Sequence, residues 1–403
     1  MTTSKNLYLN KPQLQAELDR CLNCKNQPCM NACPVNCNPQ EFINHAKNGN
    51  YKEAVKTITR TNPMGQTCGL ICPDKFCMKA CTRSRIDFAI NIPKVQATIL
   101  ENYREKDETE ETVKQYNGKN IAVVGAGPAG MSAASALARH GYKITIYEAS
   151  GEIGGALKMI PKSRLPHEVI EKDWDFIRHK GLITLQLKSS VSNPHQLLEN
   201  GFDGVIVASG EPNCTALNIE GENDALSFMD YLGNPQKYQN AENVAVIGGG
   251  CVAVDCAFTA RSNGAKNVEM FVRRKLSDMK ITRTEYMELI DQKIDVTTMT
   301  SPVKIEPGNG KLSLYTCKNY FADDRLLPLP DTTIERKGFD LIIKAIGSFA
   351  DRQNDTDKII YAGDCKHGGS TIVEAIASGQ TAAKILHEKL SDFESEPLKA
   401  ANM

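Results

Sequence analysis

The chain has 403 residues, with 48 Lys and Arg against 48 Asp and Glu and a formal net charge of zero. At 41% hydrophobic and 24% charged it has the makeup of two to three globular domains rather than a disordered chain. The charge balance argues against binding nucleic acid or anionic lipid by overall charge, and no apolar run approaches the roughly 18 residues of a membrane span. The opening Met1–Lys5 runs into polar sequence without the apolar core of a secretory signal, so the expected location is cytoplasmic.

In chain order, 13–21, 39–48 and 52–59 show the apolar spacing of short helices, separated by Asn-Gly and Asn-Pro turn signals. Nine of the 14 cysteines lie in this part, before residue 82. A disulfide framework does not suit a chain without an export signal, so the crowding of thiols points to metal or iron–sulfur ligation. The spacing is Cys21-x2-Cys24-x4-Cys29-x3-Cys33-Pro34, followed by Cys68-x3-Cys72-Pro73 and Cys77-x3-Cys81. Cys-Pro endings and tight spacings belong to ferredoxin-like runs, where the fourth cysteine often serves a second cluster. Structural zinc prefers paired Cys-x2-Cys knuckles and supplies no redox chemistry. The stretch 101–118 is charged and nearly aperiodic, as expected of a helix end and a solvated linker.

From Lys119 the pattern alternates between strand and helix. Strands are expected at 120–124, 143–147 and 205–208, then in a second round at 243–247 and 268–272, an arrangement that builds parallel sheets. Gly125-Ala126-Gly127-Pro128-Ala129-Gly130 follows the first strand. There the glycines allow a tight turn, close approach of a pyrophosphate and close helix packing. Glu148 stands 18 residues beyond Gly130, where a carboxylate grips a ribose hydroxyl. Gly248-Gly249-Gly250-Cys251 repeats the turn, but its second strand leads into Arg273-Arg274-Lys275. Guanidinium groups there attract a 2′-phosphate that a carboxylate repels, which favours NADP over NAD. Near the C-terminus, a strand at 359–361 runs into Gly363-Asp364, and a helix is expected over 371–390. That helix can return to the first fold and offer its N-terminus to a flavin. With two nucleotide folds downstream, iron–sulfur is preferred to zinc.

Cys37 is surplus, and Cys214, Cys251, Cys256, Cys317 and Cys365 are scattered small residues. Trp174 and the seven histidines show no ligand or triad spacing, and there is no Gly-x-Ser-x-Gly elbow or Walker A run.

Taken together, the cysteine-rich helical segment, GAGPAG and the GGGxxAxD run from Gly248 to Asp255 resemble the glutamate synthase small subunit and the N-terminal half of dihydropyrimidine dehydrogenase, over roughly residues 15 to 390. The segments 62–73 and 90–96 look closer to dihydropyrimidine dehydrogenase, in particular the separate flavin subunit of the bacterial enzyme. The resemblance implies an α/β chain with two Rossmann-like domains, for FAD and NADPH, behind an all-helical iron–sulfur domain. The expected boundaries are 1–115 for the cluster domain, 119–240 and 339–390 for the two parts of the FAD domain, 241–338 for the NAD(P)H domain and 391–403 for a frayed tail.

The resemblance also implies ligands. One [4Fe–4S] cluster would take Cys21, Cys24, Cys29 and Cys81, and the other Cys33, Cys72, Cys77 and Gln96, with Cys68 unligated. FAD would meet Gly125, Gly127, Gly130, Glu148, Gly155, Arg164, Gly363, Asp364 and Thr371. NADPH would meet Gly248, Gly250, Cys251, Arg273, Arg274, Lys280 and Gly347. Three departures stand out: the Cys72–Cys77 spacing is one residue short, Cys251 replaces the usual Asp or Asn, and only ten residues separate Ser348 from Ile359. No side chain is assigned as nucleophile or general acid. The implied activity passes electrons from NADPH through FAD and the clusters to an FMN-containing or synthase partner in a hetero-oligomer. A glutamate synthase small subunit and a zinc-binding, non-enzymatic NADPH sensor are the rival readings.

Overall fold

The computed structural model describes residues 7–104, 115–178 and 182–392. The expected tail from 393 on, and most of the linker at 105–114, lie outside these residues. The chain divides into two compact units, one comprising 1–157, 162–212 and 350–403, the other 158–161 and 213–349.

The first unit begins with helices only, from Lys11–Asp19 to Ile92–Tyr103. Pro39–Lys47 starts at Asn38, whose side chain accepts from the Glu41 amide, and Tyr51–Thr61 buries Ala54, Val55 and Ile58 along one stripe. The buried stripe has the i, i+3, i+4 spacing of an amphipathic helix. A five-stranded parallel sheet follows, in the order Ile359–Tyr361, Gly204–Val207, Asn120–Val124, Lys143–Tyr147, Ile183–Gln186. Its centre, Ile121-Ala122-Val123, is fully buried, as a sheet covered on both faces requires. The helices Pro128–Ala138 and Ile372–Asp392 pack against each other. Asp173 of the helix His167–Arg178 ties the cluster segment to this fold: its carboxylate accepts from the Thr67 amide at 2.8 Å and pairs with Arg104 at 2.5 Å.

The second unit has its own five-stranded parallel sheet, ordered Leu226–Ser227, Leu341–Lys344, Asn243–Ile247, Asn267–Val272, Asp295–Thr298. A three-stranded antiparallel sheet, Thr300–Gly308, Lys311–Ala322 and Arg325–Phe339, packs Ile305, Leu314 and Phe339 with Ala245, Ile247 and Phe271. A short antiparallel pair, Asn213–Cys214 with Ser348–Phe349, joins the places where the chain enters and leaves this unit.

The unit is therefore larger than the expected 241–338. Leu341–Lys344, placed by the sequence in the FAD domain, pairs in parallel with Asn243–Ile247. Residues 213–240 also belong here, since Phe228, Tyr231 and Leu232 pack into the same core. The division falls at 212/213 and 349/350, because strand pairing and core packing between segments far apart in sequence define it.

Candidate functional site

Cys21, Cys24, Cys29 and Cys81 line a single recess, together with Ile43, Ile90 and Ile92. Cys21 follows the helix Lys11–Asp19, Cys29 sits in the short helix Pro28–Asn31, and Cys81 caps Cys77–Ala80. The loop between the first two elements turns through Asn23 and Gln27, both with positive φ. Asn23 is fixed there by the Asn44 side-chain amide, which donates to its Oδ1 at 2.9 Å. Burial pushes the Cys29 thiol up to about 11, and it raises Cys21 as well, with the neighbouring thiols Cys24 and Cys81 adding to the shift. Such thiols stay neutral without metal and become good ligands only when cationic iron offsets their charge. A walled, thiol-rich and otherwise apolar recess suits an iron–sulfur body.

Cys33, Cys72 and Cys77 form a second group. Burial raises all three, and the charges of Cys72 and Cys33 push Cys77 further. Gln96 is buried on the helix Ile92–Tyr103; its Nε2 donates to the Gly65 carbonyl at 2.6 Å, and its Oε1 accepts from the Cys37 thiol at 3.8 Å. The oxygen that the resemblance offers to a cluster thus faces Cys37, the surplus cysteine. Cys68 is buried at 3% exposure.

In the same unit, the 125–130 turn joins the strand Asn120–Val124 to the helix Pro128–Ala138, whose N-cap is Gly127. A Cβ at Gly130 would lie 2.0 Å from the Gly125 carbonyl oxygen, so only glycine lets the helix sit this close. Glu148 follows the strand Lys143–Tyr147 and accepts from the Ala126 amide at 2.8 Å and the Ser150 amide at 2.9 Å. Each carboxylate oxygen keeps an acceptor site for a hydroxyl. Gly155 abuts Gly127 across the turn. Arg164 lies half-buried just before the helix His167–Arg178.

The C-terminal segment comes to the same place. The Gly363 amide donates to Ser378 Oγ at 2.8 Å, and Asp364 accepts from Ser370 Oγ at 2.6 Å. Burial raises the Asp364 carboxyl, and the carboxylates of Glu211 and Glu374 raise it further. Thr371 begins the helix Ile372–Asp392 with its hydroxyl and amide both donating to Glu374. A Cβ at Gly379 would lie 2.1 Å from the Ala129 carbonyl oxygen, so this helix crosses the first turn of Pro128–Ala138. The contact is made two turns past the start of that helix, and Gly363 also abuts Ala129, so the C-terminal segment packs on the start of Pro128–Ala138, whose N-terminus beside the glycine turn favours a pyrophosphate.

The sequence reading did not single out Asp173, Ser378 or Glu374. A capping signal, Thr371 with Glu374 three residues on, was legible for the last of these; the contacts of the other two join segments remote in sequence.

In the second unit, Gly248 has φ +147 and a Cβ there would meet the Ala345 carbonyl oxygen at 2.2 Å. Gly250 is the N-cap of the helix Cys251–Ser262 and has open space where a side chain would be. Cys251 is exposed, and its thiol donates to the Lys280 carbonyl at 3.0 Å. Lys280 meets the turn through its backbone, by a bridge to Gly250. Arg273 and Arg274 follow the strand Asn267–Val272 with exposed side chains. Their carbonyls accept from Asn319 Nδ2 at 2.8 Å and the Met299 amide at 3.0 Å, which fixes the backbone and leaves the guanidinium groups outward. The Gly347 carbonyl accepts from the Thr215 amide at 3.0 Å. These groups border the carboxyl ends of parallel strands, where open α/β sheets bind nucleotides.

Residues 2–108 match the family described as dihydropyrimidine dehydrogenase domain II, 4Fe-4S cluster, and residues 119–379 match pyridine nucleotide-disulphide oxidoreductase. The NAD-dependent dihydropyrimidine dehydrogenase subunit PreT of Escherichia coli K12 is 29% identical over 394 residues, covering 93% of each chain. The small chain of the NADPH glutamate synthase of the same organism is 27% identical over 427 residues, covering 92% of this chain and 90% of that one. Among solved structures, Mycobacterium tuberculosis FprA in complex with NADPH shares the fold, with a TM-score of 0.61 at 17% identity over 70% of this chain and 86% of that one. The chain therefore belongs to the pyridine nucleotide-disulphide oxidoreductase family and carries, ahead of that fold, a 4Fe–4S domain of the dihydropyrimidine dehydrogenase type.

Proposed function

We propose that this chain is a cytoplasmic electron-input subunit that takes electrons from NADPH and delivers them, through FAD and two [4Fe–4S] clusters, to an FMN-containing dihydropyrimidine dehydrogenase partner. The observation that carries this reading is the gathering of Cys21, Cys24, Cys29 and Cys81 around one recess, in the same compact unit as the 125–130 turn and the helix N-terminus it leads into. The full-length similarity to PreT supports the choice of partner.

When bound, FAD takes the electron pair of a nicotinamide hydride and releases electrons singly to iron–sulfur clusters. The chain's own residues bind and orient. The helix beginning at Pro128 turns its free amides toward the flavin pyrophosphate, and Glu148 accepts from a ribose hydroxyl. Asp364 and Thr371 present polar groups beside the same cofactor, and Arg164 contacts it. In the second unit, Gly248 and Gly250 admit the nicotinamide cofactor's pyrophosphate with Gly347 bordering it, and Arg273 and Arg274 pair with the 2′-phosphate. Cys251 and Lys280 flank that turn. Cys21, Cys24, Cys29 and Cys81 hold one cluster, and Cys33, Cys72, Cys77 and Gln96 hold the other. No side chain acts as nucleophile or general acid.

The test is activity by parts. The purified chain alone should oxidise NADPH with ferricyanide or dyes, and uracil or thymine should be reduced only after an FMN-containing partner is added. Pyrimidine reduction by the single chain overturns the reading, and glutamate formation with a synthase partner favours the glutamate synthase alternative.

A further inference from the structure

Three large apolar side chains stand in solvent beside the thiol recess: Leu22 at 40% exposure, Ile86 at 65% and Phe88 at 78%. Single exposed apolar residues are ordinary, but a group of them beside a redox site is a feature of interfaces. The segments that carry them meet because Arg20, at the end of the helix Lys11–Asp19, donates to the Phe88 carbonyl and pairs with Asp87 at 3.1 Å. Arg83 grips the same carboxylate with two nitrogens, at 2.8 and 2.7 Å. The loop is thus tied down, with Ile86 and Phe88 pointing outward while Ile90 just beyond is buried at 2%.

Next to this apolar group lies a second, more open recess with Lys25, Lys79 and Arg85 on its wall and no carboxylate among the residues that line it. Cys24 and Cys81 line both recesses. In a chain with no net charge, a basic face of this kind is a local feature. It meets the thiol recess at Cys24 and Cys81.

We propose that the surface formed by Leu22, Ile86 and Phe88 with Lys25, Lys79 and Arg85 docks the acidic face of a redox protein, and that electrons pass between the chain and that protein here, past Cys24 and Cys81, in either direction. This rests on the electron-input reading and adds to it the point of exchange and the charge of the partner. The basic groups would steer encounter, and the apolar side chains would seal the contact against water.

The experiment uses the anaerobic full-length chain, assayed first for iron, acid-labile sulfide and flavin, with a photoreduced acidic plant-type ferredoxin as probe. Two reduced ferredoxins each give one electron, and NADP⁺ takes the pair with one proton to form NADPH. The rate should fall as salt rises from about 20 to about 200 mM. The triple variant K25E/K79E/R85E should lose at least about tenfold in kcat/KM for ferredoxin, as loss of steering predicts. I86A/F88A should raise the ferredoxin KM about tenfold, roughly the effect of losing one interface anchor. Both variants should keep wild-type iron, flavin and NADPH–ferricyanide activity. A triple variant with intact cofactors and undiminished ferredoxin oxidation overturns the docking surface. A wild-type chain without acid-labile sulfide overturns the reading beneath it as well.

Discussion

Arg104 and Asp173 form an ion pair in which the two side chains are only 6% and 0% exposed. The second Asp173 oxygen accepts from Thr67, so one carboxylate joins the helix end before the linker, the helix Gly65–Ile71 and the flavin-binding fold. A charge so deeply buried is tolerated only while its partners remain, and removing one costs about 3–5 kcal/mol. Asp173→Ala should therefore lower the thermal midpoint markedly and release iron before flavin. The double change Arg104→Met with Asp173→Leu should recover part of the loss; equal midpoints for wild type and Asp173→Ala would show the pair to be inert.

The glycine turn makes a second prediction. Gly130→Val drives a side chain into the Gly125 carbonyl and lifts the helix Pro128–Ala138 from its turn. Purified protein should lack flavin absorbance while keeping its iron. Retention of stoichiometric FAD would mean that the flavin sits elsewhere.

Cofactor preference rests on two exposed arginines. A charge-assisted hydrogen bond contributes about 1.5–3 kcal/mol, roughly a 10–100-fold factor. Wild type should therefore prefer NADPH in kcat/KM with ferricyanide, and R273A/R274A should erase most of that preference while leaving NADH turnover largely intact. A wild-type preference for NADH would contradict the assignment.

The two cysteine groups should separate by mutation. With two clusters the chain holds about eight irons. Cys24→Ser should remove about half of them, while Gln96→Ala should alter the spectrum of the remaining cluster and leave FAD bound. Loss of all iron in Cys24→Ser would indicate one shared centre.

The parts of the fold legible in sequence are those specified locally. The strands 120–124 and 243–247 are apolar runs closed by glycine, 143–147 alternates apolar with polar residues before Glu148, and the structure has all three at these positions. The antiparallel sheet over 300–339 gave no such signal. Its alternation is interrupted by Pro302, Pro307, Pro328 and Pro330, and the register shifts at several points. Leu341–Lys344 is placed with the FAD domain by the sequence boundaries, because its strand partner Asn243–Ile247 lies about a hundred residues away and spacing does not reveal the pairing. Of the site, the glycine turns and cysteine spacings were visible. The contact of Gln96 with Cys37, like the convergence of Ser378 on Gly363, depends on helix packing that spacing does not encode.

The most direct test of the electron path is electron paramagnetic resonance of the anaerobic chain, frozen after addition of NADPH alone. The account predicts flavin bleaching together with the signals of reduced [4Fe–4S] clusters, in a protein holding about eight iron and eight sulfide per chain. Bleaching with no cluster signal, or stoichiometric zinc with no acid-labile sulfide, would contradict it.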